Sequence, residues 1–151
     1  MQASKFRLIV NSKGLTAAMR ALNLETSHRY SAVFEFRGEV LHNLCIVDKL
    51  NPDVQPVGDQ PIGDSYCVYV KRAAGVIAFE DARSDARAEG HPKRDILFSY
   101  YGVPLFSYER RVLGTVCHFD ERAMPVPEGV AEGLEVVAPL IVEAVFKARQ
   151  P

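Results

Sequence analysis

The chain has 151 residues, of which 48% are hydrophobic and 25% are charged, as in ordinary globular proteins. Its 18 basic and 19 acidic side chains nearly balance, and basic residues cluster only in pairs, which argues against a nucleic-acid partner. No run approaches the roughly 20 apolar residues of a membrane span, so we expect no membrane partner and a cytoplasmic location.

In the first third of the chain, the spacing of apolar residues predicts one helix followed by a pair of strands. Leu15, Met19 and Leu22 recur at helical spacing, so a helix is expected over Gly14–Asn23, with Ser12 as its cap. Strict alternation over Ser31–Phe36 predicts a strand. A turn at Arg37–Glu39 then returns the chain as a second strand over Val40–Val47. Residues 1–12 have no predicted element and are expected to be a flexible or dimer-forming segment.

The middle of the chain is rich in loops. Three prolines and two glycines in Asn51–Gly63 predict an ordered loop. Ser65 is expected to cap a short helix over Tyr66–Ala73 that ends at Gly75. A strand follows at Val76–Phe79, and the charged segment Glu80–Pro92 is consistent with one helical turn inside a loop.

The last third predicts two strands and a long helix. Apolar residues dominate both arms of Ser99–Pro125, and the polar segment Tyr108–Arg111 is the turn between them. Gly114, inside the second arm, marks a bulge or a close backbone approach. An apolar stripe then predicts a helix over Glu128–Lys147, which contains Pro139.

This order of elements predicts an α+β fold. We expect a central antiparallel sheet of five or six strands, with the N- and C-terminal helices on one face. The loop-rich middle of the chain covers the other face, where a pocket can form.

The Ser99–Pro125 segment resembles the terminal strand pair of GAF domains. The matching residues are the Gly-hydrophobic-Pro-Leu run Gly102–Leu105 and the Leu-Gly-Thr-hydrophobic-Cys run Leu113–Cys117. Upstream, Pro61–Cys67, Asp81–Arg87 and His91-Pro92 are similar to segments of GAF domains attached to diguanylate cyclases and histidine kinases. The resemblance covers about residues 30–143 and implies one GAF domain over 1–151.

The resemblance implies a small-molecule-binding sensory or regulatory module without catalysis, of the kind used in bacterial signalling. No output domain is recognised, so the chain is expected to act as a dimer or through a partner. The ligand is not identified. The expected ligand-binding residues lie on the middle helix, the charged loop and the two last strands: Ser65, Tyr66, Tyr69, Asp81, Arg83, His91, Tyr101 and His118.

Two other functions stay open. Some single GAF proteins of this size reduce free methionine-R-sulfoxide with pocket cysteines, and Cys67 falls near one of those positions. Against this, the loop Asp81–Asp95, where that family places its catalytic cysteine, has none. The other alternative is a pure protein-interaction domain whose pocket is filled by side chains. The three cysteines, Cys45, Cys67 and Cys117, are expected to be reduced and mostly buried.

The histidines and the charged loop each allow two interpretations. If Cys117 packs under the helices, alternation turns His118 toward the pocket. Cys117-His118 resembles the bilin-attachment dipeptide of phytochromes but lies in the wrong strand, so no covalent bilin is expected. His91 matches a region where some GAF domains bind haem, although an exposed loop histidine is favoured and haem is not expected. Asp81–Arg87 either clamps a ligand or pairs internally, and internal pairing is favoured.

A homodimer through the terminal helices is also predicted. Val136, Leu140 and Phe146 form a second apolar row on the last helix, and Phe6 and Leu8 are apolar residues near the N-terminus. A monomer rarely exposes a large apolar patch, and a two-fold helix pairing would bury it. The alternative is a kink at Pro139 that wraps the helix around its own sheet.

Overall fold

Six antiparallel strands form one sheet in the computed structural model, which describes residues 1–126 and 128–146. The strands are β1 (Tyr30–Arg37), β2 (Val40–Asp48), β3 (Gln60–Pro61), β4 (Ile77–Phe79), β5 (Ser99–Phe106) and β6 (Val112–Asp120). Their spatial order is β3-β2-β1-β6-β5-β4, so the strand pair of the first third meets the strand pair of the last third at β1 and β6. This confirms the predicted α+β class and the antiparallel sheet.

Helices α1 (Ala3–Lys13), α2 (Leu15–Asn23) and α4 (Glu128–Ile141) cover one face of the sheet, as predicted. Helix α1 was not predicted, and it begins without a side-chain cap. Ser12 lies inside α1, where its hydroxyl donates to the carbonyl of Leu8, so its predicted role as a cap is wrong. The helix-face core includes Phe6, Met19, Leu22, Val33, Cys45, Val103, Leu105, Val116, Leu134, Val137, Ile141 and Phe146.

The C-terminal helix changes its pitch after Pro139. Helix α4 gives way to a π-helical turn over Val142–Phe146, just beyond the proline that lacks a backbone donor. The predicted helix is confirmed over the described residues, and Lys147 lies outside them. Phe146 and Phe6 are buried within the chain. The expectation that these two side chains need a second copy to cover them is therefore wrong.

The other face carries helix α3 (Cys67–Ala73) and three short 3₁₀ turns, which we call the loop layer. Ala74, with φ 47°, occupies the left-handed position that ends α3, where Gly75 was expected. The loop-layer core includes Ala32, Phe34, Leu41, Ile46, Ile62, Tyr66, Cys67, Val70, Phe79, Ala88, Tyr100 and Cys117. Within 1–126 and 128–146, no helix has the length and apolarity to cross a bilayer.

Candidate functional site

A cavity of about 330 Å³ lies between the sheet and the loop layer. This volume is within the range of small-molecule sites. The cavity is bounded by the middle strands below, the start of α3 at one side and the residues before β5 above. Its lining residues are Tyr30, Phe34, Ile46, Val57, Gln60, Ser65, Tyr66, Cys67, Lys93, Ile96, Leu97, Tyr100, Cys117, Phe119 and Glu121.

Aromatic rings form much of the cavity wall. The rings of Tyr30 and Phe119, which are paired across β1 and β6, stack with their centroids 5.0 Å apart. The Tyr30 hydroxyl donates to Glu121 Oε1 at 2.6 Å, and the Arg29 guanidinium donates to the same oxygen at 3.2 Å. A flat apolar wall with a polar rim favours a ligand that has an apolar body.

Tyr66 connects the loop layer to the sheet. Its hydroxyl donates to the carbonyl of Leu97 at 2.7 Å, and its buried ring meets Phe79 and Tyr100 edge-on, at 5.1 and 5.5 Å between centroids. The ring of His91 lies 4.6 Å from the ring of Tyr66. These contacts fix the position of α3, and with it the opening of the cavity.

Two cysteines border the cavity. Cys67, at the start of α3, and Cys117, on β6, both border the cavity, and both side chains have an exposed fraction of 0%. The Sγ of Cys67 is 3.1 Å from Thr115 Oγ1 and 3.3 Å from the Tyr100 hydroxyl. The backbone N–H of Cys67 donates to Ser65 Oγ.

Hydrogen bonding sets the protonation of this pair. Burial raises the pKa of Cys67, but hydrogen bonds from Cys117, Ser65, Thr115 and Tyr100 outweigh it and lower that pKa to about 7. Burial and the neighbouring Cys67 raise the pKa of Cys117 well above its ordinary value. Of the two thiols, Cys67 is therefore the one that loses its proton more readily.

The structure brings some of the predicted site residues to the cavity. Ser65 and Tyr66 line it, together with Cys67. Tyr69 and His91 lie behind Tyr66, at 6.2 and 4.6 Å between ring centroids, and they do not line the cavity. Burial lowers the pKa of His91, which favours the neutral imidazole. These two rings support the wall rather than form it.

Asp81 and Arg83 are not part of the cavity lining. The guanidinium of Arg83 donates two hydrogen bonds of 2.9 Å to the carboxylate of Asp81. Asp85 and Arg87 repeat the arrangement, at 3.0 and 2.7 Å. Each aspartate also accepts the backbone N–H two residues on and so begins a 3₁₀ turn. The favoured internal pairing is thus present, and neither Asp81 nor Arg83 borders the cavity.

Tyr101 and His118 lie on the opposite face of the sheet. Cys117 borders the cavity, so alternation turns its neighbour His118 toward the helices, and the expectation that His118 faces the pocket is wrong. The Nδ1 of His118 is 2.6 Å from Ser31 Oγ, and its ring stacks on that of His28. Tyr101, paired with His118 across β5 and β6, belongs to the helix-face core.

Because of this alternation, Cys117 and His118 cannot contact the same ligand. The two side chains are on opposite faces, so a molecule in the cavity contacts the cysteine and not the histidine. In the described part of the chain, no three His, Cys, Asp or Glu side chains lie close enough together to hold a metal ion.

Sequence reasoning missed Tyr100, Phe119 and Cys117 as cavity residues. One signal was present: Ala32 and Cys117 are opposite each other in the β1–β6 register, so Cys117 shares a face with Phe34. The interpretation left open which face Phe34 occupies. Once Phe34 is placed in the cavity, alternation along β6 places Cys117 and Phe119 there as well.

The sequence matches no family model and no curated protein. Solved structures do match. The GAF domain of an Acinetobacter phosphoenolpyruvate-protein phosphotransferase is 15% identical, covers 97% of this chain and 92% of its own, and has a TM-score of 0.77. Free methionine-R-sulfoxide reductase from Neisseria meningitidis, in complex with its substrate, is 15% identical, covers 97% and 89%, and has a TM-score of 0.71.

A third structure binds a pigment. The phycocyanobilin-bound GAF domain of a cyanobacterial phytochrome is 10% identical, covers 99% of both chains and has a TM-score of 0.71. A phosphotransferase domain, a reductase and a phytochrome domain thus share one architecture with this chain. The chain has the GAF fold.

Proposed function

We propose that this GAF-fold chain is a sensory or regulatory module of bacterial signalling that binds a small molecule without catalysis. The observation that supports the proposal is the cavity of about 330 Å³, whose aromatic walls and polar rim suit a small ligand with an apolar body. The module is proposed to work in the cytoplasm as a homodimer through its terminal helices, or through a protein partner. The proposal includes no nucleic-acid partner.

The ligand is expected to enter past Val57 and Ile96, two exposed apolar residues of the lining. The inner end of the cavity is apolar. Lys93 and Glu121 line it as well and carry opposite charges, so a ligand with a polar end can orient that end toward either of them. This arrangement supports the binding of such a ligand in one orientation.

Native mass spectrometry of freshly purified protein tests the proposal. We expect a co-purifying small molecule, which is then extracted and titrated back into the ligand-free protein. Val57→Trp fills the mouth of the cavity and should weaken binding by roughly tenfold or more, since the indole occupies the ligand's volume. Leu50→Trp is the matched control, because Leu50 is also exposed but is not a lining residue.

Two results would contradict the proposal. One is protein that carries no small molecule and shows no chemical-shift change with a panel of apolar metabolites. The other is a bound molecule whose affinity is unchanged by Val57→Trp. Either result would favour the interaction-domain alternative, in which the cavity has no ligand.

A free methionine-R-sulfoxide reductase is the second candidate, and one observation favours it. The Cys67 thiol, with its pKa lowered to about 7, borders the cavity beside Cys117. The absence of cysteine from residues 81–95 weighs against it. A thiol-coupled assay with methionine-R-sulfoxide separates the two functions: turnover that Cys67→Ser abolishes and Cys45→Ser retains would place the reductase first.

A further inference from the structure

Cys67 and Cys117 approach each other from two different layers of the fold. Cys67 comes from α3 above the sheet, and Cys117 comes from β6 within it. The hydroxyl of Tyr100 lies 3.3 Å from Cys67 Sγ, and the thiols of Cys67 and Cys117 interact with each other. Thr115 and Cys117 are two residues apart on one strand, so their side chains lie on the same face, and Cys67 Sγ lies 3.1 Å from the Thr115 hydroxyl.

A ligand in the cavity can reach these thiols. Both side chains are fully buried with respect to bulk water, yet both border the cavity. The third cysteine, Cys45, is buried in the helix-face core and lies near Thr16, on the far side of the sheet. The chain therefore contains one cysteine pair that a cavity ligand can reach and one isolated cysteine that it cannot.

We propose that Cys67 and Cys117 form a reversible disulfide when a small, apolar organic hydroperoxide enters the cavity. The inference rests on the proposed function in one respect: it uses the same cavity as the binding site. Aromatic and aliphatic side chains make up most of the lining, which favours an alkyl or aryl hydroperoxide over hydrogen peroxide.

The reaction needs only the pair and the hydroperoxide. The Cys67 thiolate attacks the terminal peroxide oxygen, the O–O bond breaks, and the departing alkoxide takes up the proton that Cys67 released, giving an alcohol and a sulfenic acid. The sulfur of Cys117 then attacks the sulfur of Cys67, the S–O bond breaks, and water leaves with the Cys117 proton. Two thiols are oxidised to one disulfide, and one hydroperoxide is reduced to alcohol and water.

The hydroxyl neighbours support the first step. The Thr115 and Tyr100 hydroxyls lie 3.1 and 3.3 Å from Cys67 Sγ, where each can donate to a thiolate, the nucleophilic form. Cys117, which keeps its proton, is the resolving thiol. This assignment follows from the contacts: the thiol of Cys117 donates to the carbonyl of Ala32 in the neighbouring strand, and only a protonated thiol can donate.

A disulfide at this position would change the cavity. It would tie α3 covalently to β6 and remove the thiol that Tyr100 and Thr115 contact. The loop layer would then be held closer to the sheet, and the floor of the cavity would be reshaped. Oxidation is thereby expected to change the affinity for the cavity ligand, which makes the pair a regulatory device of the same site.

The experiment treats the reduced, full-length protein with tert-butyl hydroperoxide and, separately, with hydrogen peroxide at the same concentration. Intact mass and peptide mapping then locate the product. We expect an intramolecular Cys67–Cys117 disulfide that dithiothreitol reverses, with Cys45 still free, and a rate at least tenfold higher with the organic oxidant. Cys45→Ser should behave like the wild type, while Cys67→Ser and Cys117→Ser should form no intramolecular disulfide.

Mapping on the wild type decides the question even where a serine variant fails to fold. Three results would overturn the inference: no oxidation, a sulfinic acid at Cys67, or a disulfide between two copies. Equal rates with both oxidants would overturn the assignment to organic hydroperoxides. Ligand binding is measured separately by native mass spectrometry. A bound ligand without a disulfide removes this inference alone, and a disulfide without any ligand removes the proposed function alone.

Discussion

Gly114 is a residue at which β6 comes very close to β1. A Cβ added there would lie 1.9 Å from the carbonyl oxygen of Phe34 and 2.9 Å from its carbonyl carbon, both of them backbone atoms. The register on the other side of β6 also shifts here, because Leu105 is opposite Gly114 while Phe106 is opposite Val112. The sequence predicted either a bulge or a close approach at this glycine, and the structure has both.

Gly114→Ala should therefore destabilise the fold. Neither backbone can move without disturbing the central strand pair, so we expect a loss of about 1–3 kcal/mol or more in the free energy of unfolding. Chemical denaturation measures it. Gly129→Ala is the matched control: Gly129 lies in the first turn of α4 with open space around it, and alanine there should be neutral or stabilising by up to about 1 kcal/mol. Equal stability of both variants would contradict the close approach.

His28 and His118 are two stacked, buried imidazoles under the helices. Burial lowers the pKa of both, and for His118 burial, His28 and Lys49 bring it to about 3. Asp120 raises the pKa of His28, but burial and Lys49 outweigh it. Both rings are therefore neutral in the folded chain, whereas the unfolded chain takes up a proton near the ordinary pKa of 6.5.

This sets the direction of a pH dependence. Because the folded pKa is depressed, the stability contributed by each histidine is complete above pH 6.5 and is lost as the pH falls toward the folded value. For His118 the loss approaches about 1.4 kcal/mol per pH unit. Denaturation between pH 6.5 and about 4.5 measures it, above the region where paired aspartates lose their contributions.

His118→Gln should flatten this dependence, because an amide can hydrogen-bond to Ser31 without taking up a proton. The same slope in His118→Gln and in the wild type would show that the buried pair does not control acid stability.

The face of each strand residue shows where sequence reasoning stops at this scale. Alternation predicted correctly that Ala32, Phe34 and Phe36 share a face. It did not tell which layer covers that face, because the opposite face of the same sheet, with Val33 and Val116, is equally apolar. His118 and Tyr101 were placed on the wrong face because the layer that covers each face was not known. Once one residue is assigned to a face, the strand register assigns all the others.

At the scale of elements, the sequence predicted the structures that have their own local signals. Helix α2, the strand pair β1–β2, the terminal strand pair and α4 all have periodic apolar residues, and all are present. Helix α1 lacks such a signal: it has no side-chain cap and only Phe6 fully buried. Its formation depends on packing against α2 and α4, which a local pattern does not report.

The charged loop shows the same limit in another way. Alternating signs in Asp81–Arg87 indicated that the side chains pair, and they do. The pattern did not indicate that each aspartate begins a 3₁₀ turn, or that the guanidinium of Arg83 lies over the ring of Phe98 at 3.9 Å. The two turns hold the loop against the sheet edge, away from the cavity. The element supports the site without contributing a lining residue.

At the scale of the whole molecule, the sheet separates two cores with different roles. The helix face is filled by apolar side chains from α1, α2 and α4, whereas the loop-layer face keeps a cavity of about 330 Å³. The sequence supports this division, because helices with long apolar stripes can fill a face and a segment rich in proline and glycine cannot. The cavity lining itself depends on how the loop layer folds back, which is a tertiary property.

The same separation bears on self-association through the terminal helices. Phe6 and Phe146 are buried within one chain, which leaves Leu8, 67% exposed on α1, and Val136, 39% exposed on α4, as the apolar residues available to a partner. Leu140 is half-buried against the helix-face core. An interface built on so few exposed residues is small, so we expect a dimer that is weak rather than obligate.

Sedimentation equilibrium over a concentration series should accordingly show a monomer–dimer equilibrium, with the dimer populated at tens of micromolar and above. Leu8→Glu should raise the dissociation constant by roughly tenfold or more, because the carboxylate would be desolvated in the interface. Leu50→Glu, at an equally exposed residue beyond β2, should leave it unchanged. Leu140→Glu is unsuitable, since it would also disturb the core.

A strict monomer over the whole series would remove the dimer from the proposed function, and so would a dimer that Leu50→Glu weakens as much as Leu8→Glu. In both cases the signal would have to leave the chain through a different partner.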